Sequence, residues 1–280
     1  MHKYLILIYF SLPVFADETL YPELIQNNIT DLYYIQEISK FRSGAGHEFY
    51  YDPGFPFGAS DSTEPPSSMK HYFSPYDGYK DLNGTNSTIP VYAPFSGTIV
   101  RVTNENCCGY ENKRVEIQSN DFSSYKLIFF HINLDEAFPQ IYNDWPAHLW
   151  PDHLPDDTEY ETLTVSEGEF IGYADLRESN DFDIAVLRED GSERYWVSFF
   201  DLLSDTVQDE YTSRGVVIEN FIISKEARSS EPVTWWGGRN DDDWILLSPF
   251  NNIPSMGILS LLVLGFSIVG AFKVSRYQKL

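Results

Sequence analysis

The middle of the chain alternates short apolar segments with turn signals, and this pattern predicts strands. Apolar and polar residues alternate over residues 114–118, and β-branched or aromatic residues dominate residues 98–102 and 125–134. Residues 184–188 and 195–200 flank an Asp-Gly pair, which is a preferred turn of β-hairpins. Further strands are expected at residues 91–93 and within residues 215–224. Short strands separated by frequent turns predict an all-β sandwich or barrel.

Residues 1–16 have the pattern of a secretory signal peptide. A polar start at His2 and Lys3 precedes an apolar run over residues 4–12 and a small-residue cleavage site that ends at Ala16. The apolar run is shorter than the about 20 residues that a membrane-spanning helix needs. We therefore expect export and cleavage, with an uncleaved N-terminal anchor as the alternative.

A second apolar segment lies near the other end and predicts one C-terminal transmembrane helix. Residues 256–272 contain no charged side chain, and Lys273, Arg276 and Lys279 follow. Cations on that side favour a cytoplasmic C-terminus, so the domain between the ends is expected outside the cell. The clustered cations argue against the alternative of a buried core helix. Residues 253–280 also resemble bacterial and archaeal sorting tails, in which a proline motif, an apolar helix and a basic end follow in order.

Between the ends we expect three segments. Residues 17–66 form a loop-rich N-terminal lead-in, residues 67–224 form the β-rich domain, and residues 225–252 form a membrane-proximal linker. Tryptophans in the linker, Trp244 among them, are expected at the bilayer interface. A long aromatic and acidic segment interrupts the strands at residues 135–160, and we expect it to form an ordered rim or lid.

The composition is strongly acidic, which narrows the class of partner. The chain has 42 acidic and 19 basic residues, and four of the basic ones lie in the two end segments. This balance argues against a nucleic-acid partner, because phosphate binding needs clustered Lys and Arg. Aromatic residues make up 16% of the chain, so it is not a disordered acidic tail. Cys107 and Cys108 are adjacent, so no disulfide framework is expected.

Three motifs follow one another in the β-rich domain. Residues 90–97 read Pro-Val-Tyr-Ala-Pro-x-x-Gly, a strand around His131 follows, and residues 165–172 read Val-x-x-Gly-x-x-Ile-Gly. In this order they resemble the lysostaphin-type, or LytM-like, murein endopeptidases, over about residues 70–187. The resemblance implies a lysostaphin/lipoyl-like β-sandwich, also called a duplicated hybrid motif.

The family's chemistry implies candidate site residues. A zinc ion is held there by a His, an Asp and the second His of a His-x-His pair, and its bound water attacks a peptide carbonyl. By resemblance, the metal ligands here are His71, Asp77 and Asp183, and the assisting catalytic groups are His131 and Asp181. Asp81 is the alternative to Asp77.

The closing pair departs from the family, because Asp181 and Asp183 stand where two histidines are expected. Aspartate has a reference pKa of about 3.9 against about 6.5 for histidine, so Asp181 is a much weaker general base. An oxygen-rich site favours Ca²⁺, Mn²⁺ or no metal over catalytic Zn²⁺. We therefore expect no cofactor and a non-catalytic domain that binds a cell-surface glycan, peptide or protein. The alternative is an active metallo-endopeptidase with zinc or another divalent cation in an altered ligand set.

His47 lies among acidic and aromatic residues at positions 46–52 and offers another arrangement. His47, His71, His131 and Asp183 could converge in a non-standard site. Alternatively, His47 and His71 could hydrogen-bond loop backbone and hold the Gly- and Pro-rich region in place. The sequence leaves both possibilities open.

Overall fold

The computed structural model describes residues 21–51, 58–80, 89–107, 110–142, 163–177, 179–234 and 240–249. The expected signal peptide and membrane anchor lie outside these residues, as do Asp81, Cys108 and most of residues 135–160. Within the described ranges, no helix is both long and apolar enough to cross a bilayer.

The described residues form one antiparallel sheet with few helices, so the predicted all-β class is confirmed. The strands are β1 Ile35–Ser39, β2 His71–Pro75, β3 Pro90–Tyr92, β4 Gly97–Cys107, β5 Tyr110–Ser119, β6 Tyr125–Leu134, β7 Thr164–Val165, β8 Phe170–Ala174, β9 Phe182–Asp190, β10 Glu193–Val197 and β11 Trp244–Leu246. The helices are α1 Asp205–Ser213, α2 Lys225–Ser230 and short 3-10 turns.

The sheet follows the order β11-β1-β2-β9-β6-β5-β4-β7, with β10 paired to β9 and β8 bridging β3 and β6. Side chains alternate between the two faces of a strand. On β6, Phe129 therefore faces the larger apolar core while Phe130 faces a smaller apolar cluster on the other side. On β9, Ile184 lies opposite Phe129 and faces the larger core, whereas Asp183 lies opposite Phe130 and faces the smaller cluster.

Three segments differ from the sequence predictions. Residues 215–224 hold a 3-10 helix at Ile218–Phe221 in place of a strand, because Phe221 is buried against Phe200 with ring centroids 3.7 Å apart. The expected lead-in contributes β1 to the sheet. The expected linker contributes α2 and β11, and β11 pairs with β1.

Gly172 on β8 has φ +155°, and a Cβ there would lie 2.3 Å from the backbone oxygen of Asn133. We expect Gly172→Ala to lower the free energy of unfolding by about 2–4 kcal/mol, because the neighbouring backbone must move. Gly191→Ala is the matched control. It also has a positive φ, but nothing lies within 4 Å of its added Cβ, so the expected loss is about 1 kcal/mol. Urea unfolding of both variants measures the difference, and equal losses would contradict the prediction.

Candidate functional site

An ion pair is buried where β2, β6 and β9 meet. Asp183 lies opposite Tyr72 on β2 and Phe130 on β6, so its carboxylate projects from the face with the smaller apolar cluster. Lys70, directly before β2, places its Nζ 2.7 Å from Asp183 Oδ2. Only 3% of the Lys70 side chain and 1% of the Asp183 side chain are exposed. Each charge therefore depends on the other for compensation away from water.

Aromatic rings surround the Lys70 ammonium. Its Nζ lies 3.6 Å from the ring centroid of Phe130, 4.8 Å from that of Phe49 and 5.9 Å from that of Tyr72. Such positions are attractive because the ring faces carry negative charge density. His47 Nε2 lies 3.4 Å from the same Nζ, while His47 Nδ1 donates to the backbone oxygen of Glu48. The ammonium thus occupies an aromatic cage that the chain itself provides.

His131 completes this group of side chains. Its Nε2 lies 3.5 Å from Asp183 Oδ1, and its Nδ1 lies 3.6 Å from Glu105 Oε2. The backbone of His131 is left-handed, with φ +57°, and its N–H donates to Glu105 Oε2 at 3.2 Å. A non-glycine residue in this conformation persists only where its surroundings hold it. The structure therefore brings the predicted residues His131 and Asp183 together.

His71 lies on the opposite face of the sheet. It pairs with Ile184, and strand alternation separates its side chain from that of Asp183. His71 Nδ1 donates to the backbone oxygen of Ser39 at 2.8 Å, and Nε2 accepts from Ser198 Oγ at 3.0 Å. Burial lowers the pKa of His71 to about 4. His71 is a neutral, fully bonded core residue.

His71 predicts a dependence of stability on pH. Its pKa is about 4 in the folded state against 6.5 for the free group, so the folded state binds fewer protons between these values. Above pH 6.5 this difference does not affect the free energy of unfolding. As the pH falls from 6.5 towards 4, the free energy of unfolding decreases by about 3 kcal/mol, because protons bind preferentially to the unfolded state. Urea unfolding between pH 4 and 7 should show this loss, and His71→Gln should flatten it.

Asp201 provides a control, because its effect on the free energy of unfolding changes with pH in the opposite direction. Burial raises its pKa to about 6, so its contribution is lost as the pH rises through that value. Asp201→Asn should therefore steepen the rise of stability with pH. A His71→Gln profile as steep as the parent profile would contradict the assignment.

The other two predicted site residues lie apart from the ion pair. Asp77 belongs to a 3-10 turn at Asp77–Tyr79, its side chain is 90% exposed, and it lies 3.4 Å from Lys80 Nζ. Asp181 precedes β9; burial raises its pKa, and a hydrogen bond with Ser74 opposes the change. The structure thus does not bring His71, Asp77 and Asp183 to one point.

Zinc does not fit these residues. One predicted ligand faces the other side of the sheet, one is exposed on a turn, and the third already holds an ammonium at 2.7 Å. A divalent cation beside that ammonium would meet strong like-charge repulsion in a buried setting. Across the part of the chain that the structure describes, no group of three or more His, Cys, Asp or Glu side chains could hold a metal ion.

A cavity of about 470 Å³ opens over the ion pair. The loop around His47 and the strands β4, β5, β6 and β10 contribute residues to its lining. Its lining is His47, Glu48, Phe49, Tyr50, Tyr51, Gly58, Lys70, Glu105, Arg114, Phe130 and Trp196. Concave sites of this size with aromatic walls and a few polar groups are typical ligand sites.

Sequence reasoning missed Lys70, although its neighbour His71 was singled out. A one-residue change of register on a strand moves a side chain to the other face. Had β2 been predicted beside β9 in its observed register, alternation would have placed Lys70 and Tyr72 on the face of Asp183. Glu105 and Arg114 carry no such signal, because their place depends on how β4 and β5 pair across the sheet.

The chain is similar to a solved structure described as the solution structure of lysostaphin. The match covers 55% of this chain and 49% of that chain, at 16% sequence identity and a TM-score of 0.26. The matched region therefore spans about half the length of lysostaphin. No protein-family model and no curated protein matches the chain. The neighbour is the one that the sequence motifs led us to expect, and a likeness of this extent assigns no activity.

Proposed function

We propose that the chain is a membrane-anchored, extracellular binding domain that resembles a peptidase and does not catalyse hydrolysis. The observation that carries the proposal is the contact of 2.7 Å between Lys70 Nζ and Asp183 Oδ2. A hydrolytic metal needs an open coordination position and a bound water. Here the ammonium of the chain itself neutralises the carboxylate, and aromatic rings enclose it.

The expected location rests on sequence alone. The signal-like residues 1–16 and the apolar residues 256–272 support export and a single C-terminal anchor. The acidic composition, with a net charge of −23, supports a domain that stays soluble and repels nucleic acid. The cavity over the ion pair supports a binding role, because it combines aromatic walls with polar groups that are held in place.

The alternative, a metallo-endopeptidase with an altered ligand set, requires His71, Asp77 and Asp183 to meet at one ion. Strand alternation separates the first from the third, and the second is exposed beside Lys80. The sequence also suggested that His47 and His131 could converge with Asp183. Both histidines do lie at the Lys70–Asp183 pair. Even there, the cation at the centre is an ammonium group.

Peptide cleavage tests the proposal. The purified protein, with zinc or manganese added, is incubated with fluorescence-quenched oligoglycine and cross-linked oligopeptides. We expect no turnover above the buffer rate. Turnover that is lost in Asp183→Asn and retained in Asp190→Asn, which alters an exposed carboxylate on the same strand, would overturn the proposal.

A further inference from the structure

A second cavity, of about 450 Å³, is lined by the segment before β1, by Tyr92 of β3 and by the end of α1. It shares no lining residue with the cavity over the ion pair. The side chains of Asp31 and Glu210 in its lining belong to exposed residues, whereas Asn28 is 6% exposed. Both carboxylates are therefore accessible from solvent, and we call this cavity the acidic groove.

The two segments that contribute most of the groove carry no positive charge. Residues 21–39 and residues 205–213 contain six acidic side chains and no Lys, Arg or His. Arg214, directly after α1, is buried, donates to the backbone oxygen of Leu32 and offsets part of the charge of Asp31. The acidic side chains remain in excess, so the groove attracts cations and repels anions.

The amide and aliphatic hydroxyl groups of the groove direct their donors to oxygens of the protein itself. Asn27 Nδ2 donates to the backbone oxygen of Asn28 at 2.7 Å. Thr30 Oγ1 donates to a backbone oxygen of β3 at 2.8 Å, and Ser213 Oγ donates to that of Glu210 at 2.6 Å. Carboxylate, amide and hydroxyl oxygens remain as acceptors, so the groove suits a ligand that brings N–H donors.

One buried acceptor in the groove wall lacks a donor. Asn28 Nδ2 donates to Glu210 Oε2, whereas Asn28 Oδ1 has no partner among the described residues. Buried polar groups are nearly always paired, and the exceptions often mark functional positions. Because the Asn28 amide is bonded to Glu210, the partial negative charge of its oxygen lies beside that carboxylate. A cation held at Glu210 therefore compensates both groups.

Two further features of the groove favour a positive charge. Glu210 and Ser213 lie in the last turn of α1, and the C-terminal end of a helix carries partial negative charge. Tyr92 adds a half-buried aromatic ring, which meets the ring of Phe170 at an angle of 68° and is not stacked on it. Cations are attracted to the face of such a ring.

From these observations we infer that the acidic groove binds a primary alkylammonium group, with its nitrogen at Glu210 and Asn28 and its alkyl chain along Tyr92. The site is separate from the function proposed above. The ammonium group supplies the positive charge and the N–H donors, and a groove of this volume also holds an alkyl chain. A bare calcium ion suits the groove less, because it needs six to eight oxygen ligands. Nowhere among the residues that the structure describes do three or more His, Cys, Asp or Glu side chains form a group that could hold a metal ion.

Isothermal titration calorimetry of the full chain tests the ligand class. Cadaverine represents a free amine, and acetyl-lysine methylamide represents a lysine side chain of a partner protein. Pentane-1,5-diol and glutarate are the neutral and anionic controls of similar length, and calcium chloride tests a bare divalent ion. We expect one site per chain for at least one ammonium probe, and the tighter probe identifies the source of the amine. The diol and glutarate should not bind.

Two pairs of matched variants locate the binding. Glu210→Gln removes the charge but keeps an oxygen that accepts from Asn28, and it should weaken amine binding about tenfold. Glu226→Gln makes the same change of net charge at an exposed position of α2 outside the groove, and it should leave binding unchanged. Tyr92→Leu should weaken binding about threefold, whereas Tyr173→Leu removes an exposed ring outside the groove and should have no effect.

Four outcomes would each overturn the alkylammonium site. They are the absence of binding by both amines, equally tight binding of the diol, displacement of the amine by an equal concentration of calcium, and equal weakening by Glu210→Gln and Glu226→Gln. The last indicates diffuse attraction to an acidic protein. Urea unfolding of each variant verifies that it is folded. Loss of this site leaves the non-catalytic assignment standing, whereas peptide cleavage would remove that assignment and leave the groove untouched.

Discussion

Lys70→Met is expected to lower the free energy of unfolding by about 3–5 kcal/mol, the largest effect of any change at the site. Methionine keeps most of the length of the side chain but removes the ammonium. Asp183, with 1% of its side chain exposed, then holds a charge without its ammonium partner, beside its cross-strand neighbours Phe130 and Tyr72. Urea or guanidinium unfolding, followed by circular dichroism, measures the loss.

A double-mutant cycle measures the interaction between Lys70 and Asp183 separately from their contacts with other residues. Lys70→Met with Asp183→Asn removes both charges and should recover most of the stability, because replacing a whole buried pair is often close to neutral. Lys126→Met is the control. Lys126 also lies 2.7 Å from a carboxylate, that of Glu189, but both side chains are partly exposed, so the expected loss is under about 1 kcal/mol. Equal losses for Lys70→Met and Lys126→Met would contradict the importance of burial.

Arg214→Met is expected to destabilise the fold by about 3–5 kcal/mol through a different mechanism. Arg214 is 1% exposed and donates to three backbone oxygens, those of Leu32, Ile35 and Ser248. It thereby ties the segment before β1 to the segment after β11. Removing the guanidinium leaves the carbonyl groups of the buried residues Leu32 and Ile35 without this donor.

The variant Arg214→Lys separates the effect of the charge from that of the guanidinium shape. Arg214→Lys keeps the charge but loses the planar fork that reaches several oxygens at once, so about half of the loss should remain. Arg188→Lys is the control, because Arg188 is partly exposed and its carboxylate partner Asp190 is 3.9 Å away. Chemical unfolding measures all three variants. An Arg214→Met protein as stable as the Arg188→Lys protein would refute the tying role.

The strand pattern was readable from the sequence because the strands carry local signals. Alternation over residues 114–118 and the Asp-Gly turn gave β5 and the β9–β10 hairpin, since both depend on residues close in sequence. Residues 215–224 were predicted to form strands. Their outcome depended on the long-range burial of Phe221 against Phe200, which no local pattern contains.

The candidate site was readable only in part. His131 and Asp183 were singled out by motif, and the structure brings their side chains within 3.5 Å of each other. His71 was assigned to the same site, but strand register turns it to the other face and presents Lys70 instead. A one-residue difference of this kind cannot be read from one strand, because the face depends on the neighbouring strand.

The metal content of the purified protein tests the central claim most directly. The protein is incubated with excess zinc or manganese, passed through a desalting column, and analysed by inductively coupled plasma mass spectrometry. Because the Lys70 ammonium already neutralises Asp183, we expect no stoichiometric metal in the parent protein. One equivalent of zinc or manganese per chain, lost in Asp183→Ala, would contradict the account and restore the metallo-endopeptidase alternative.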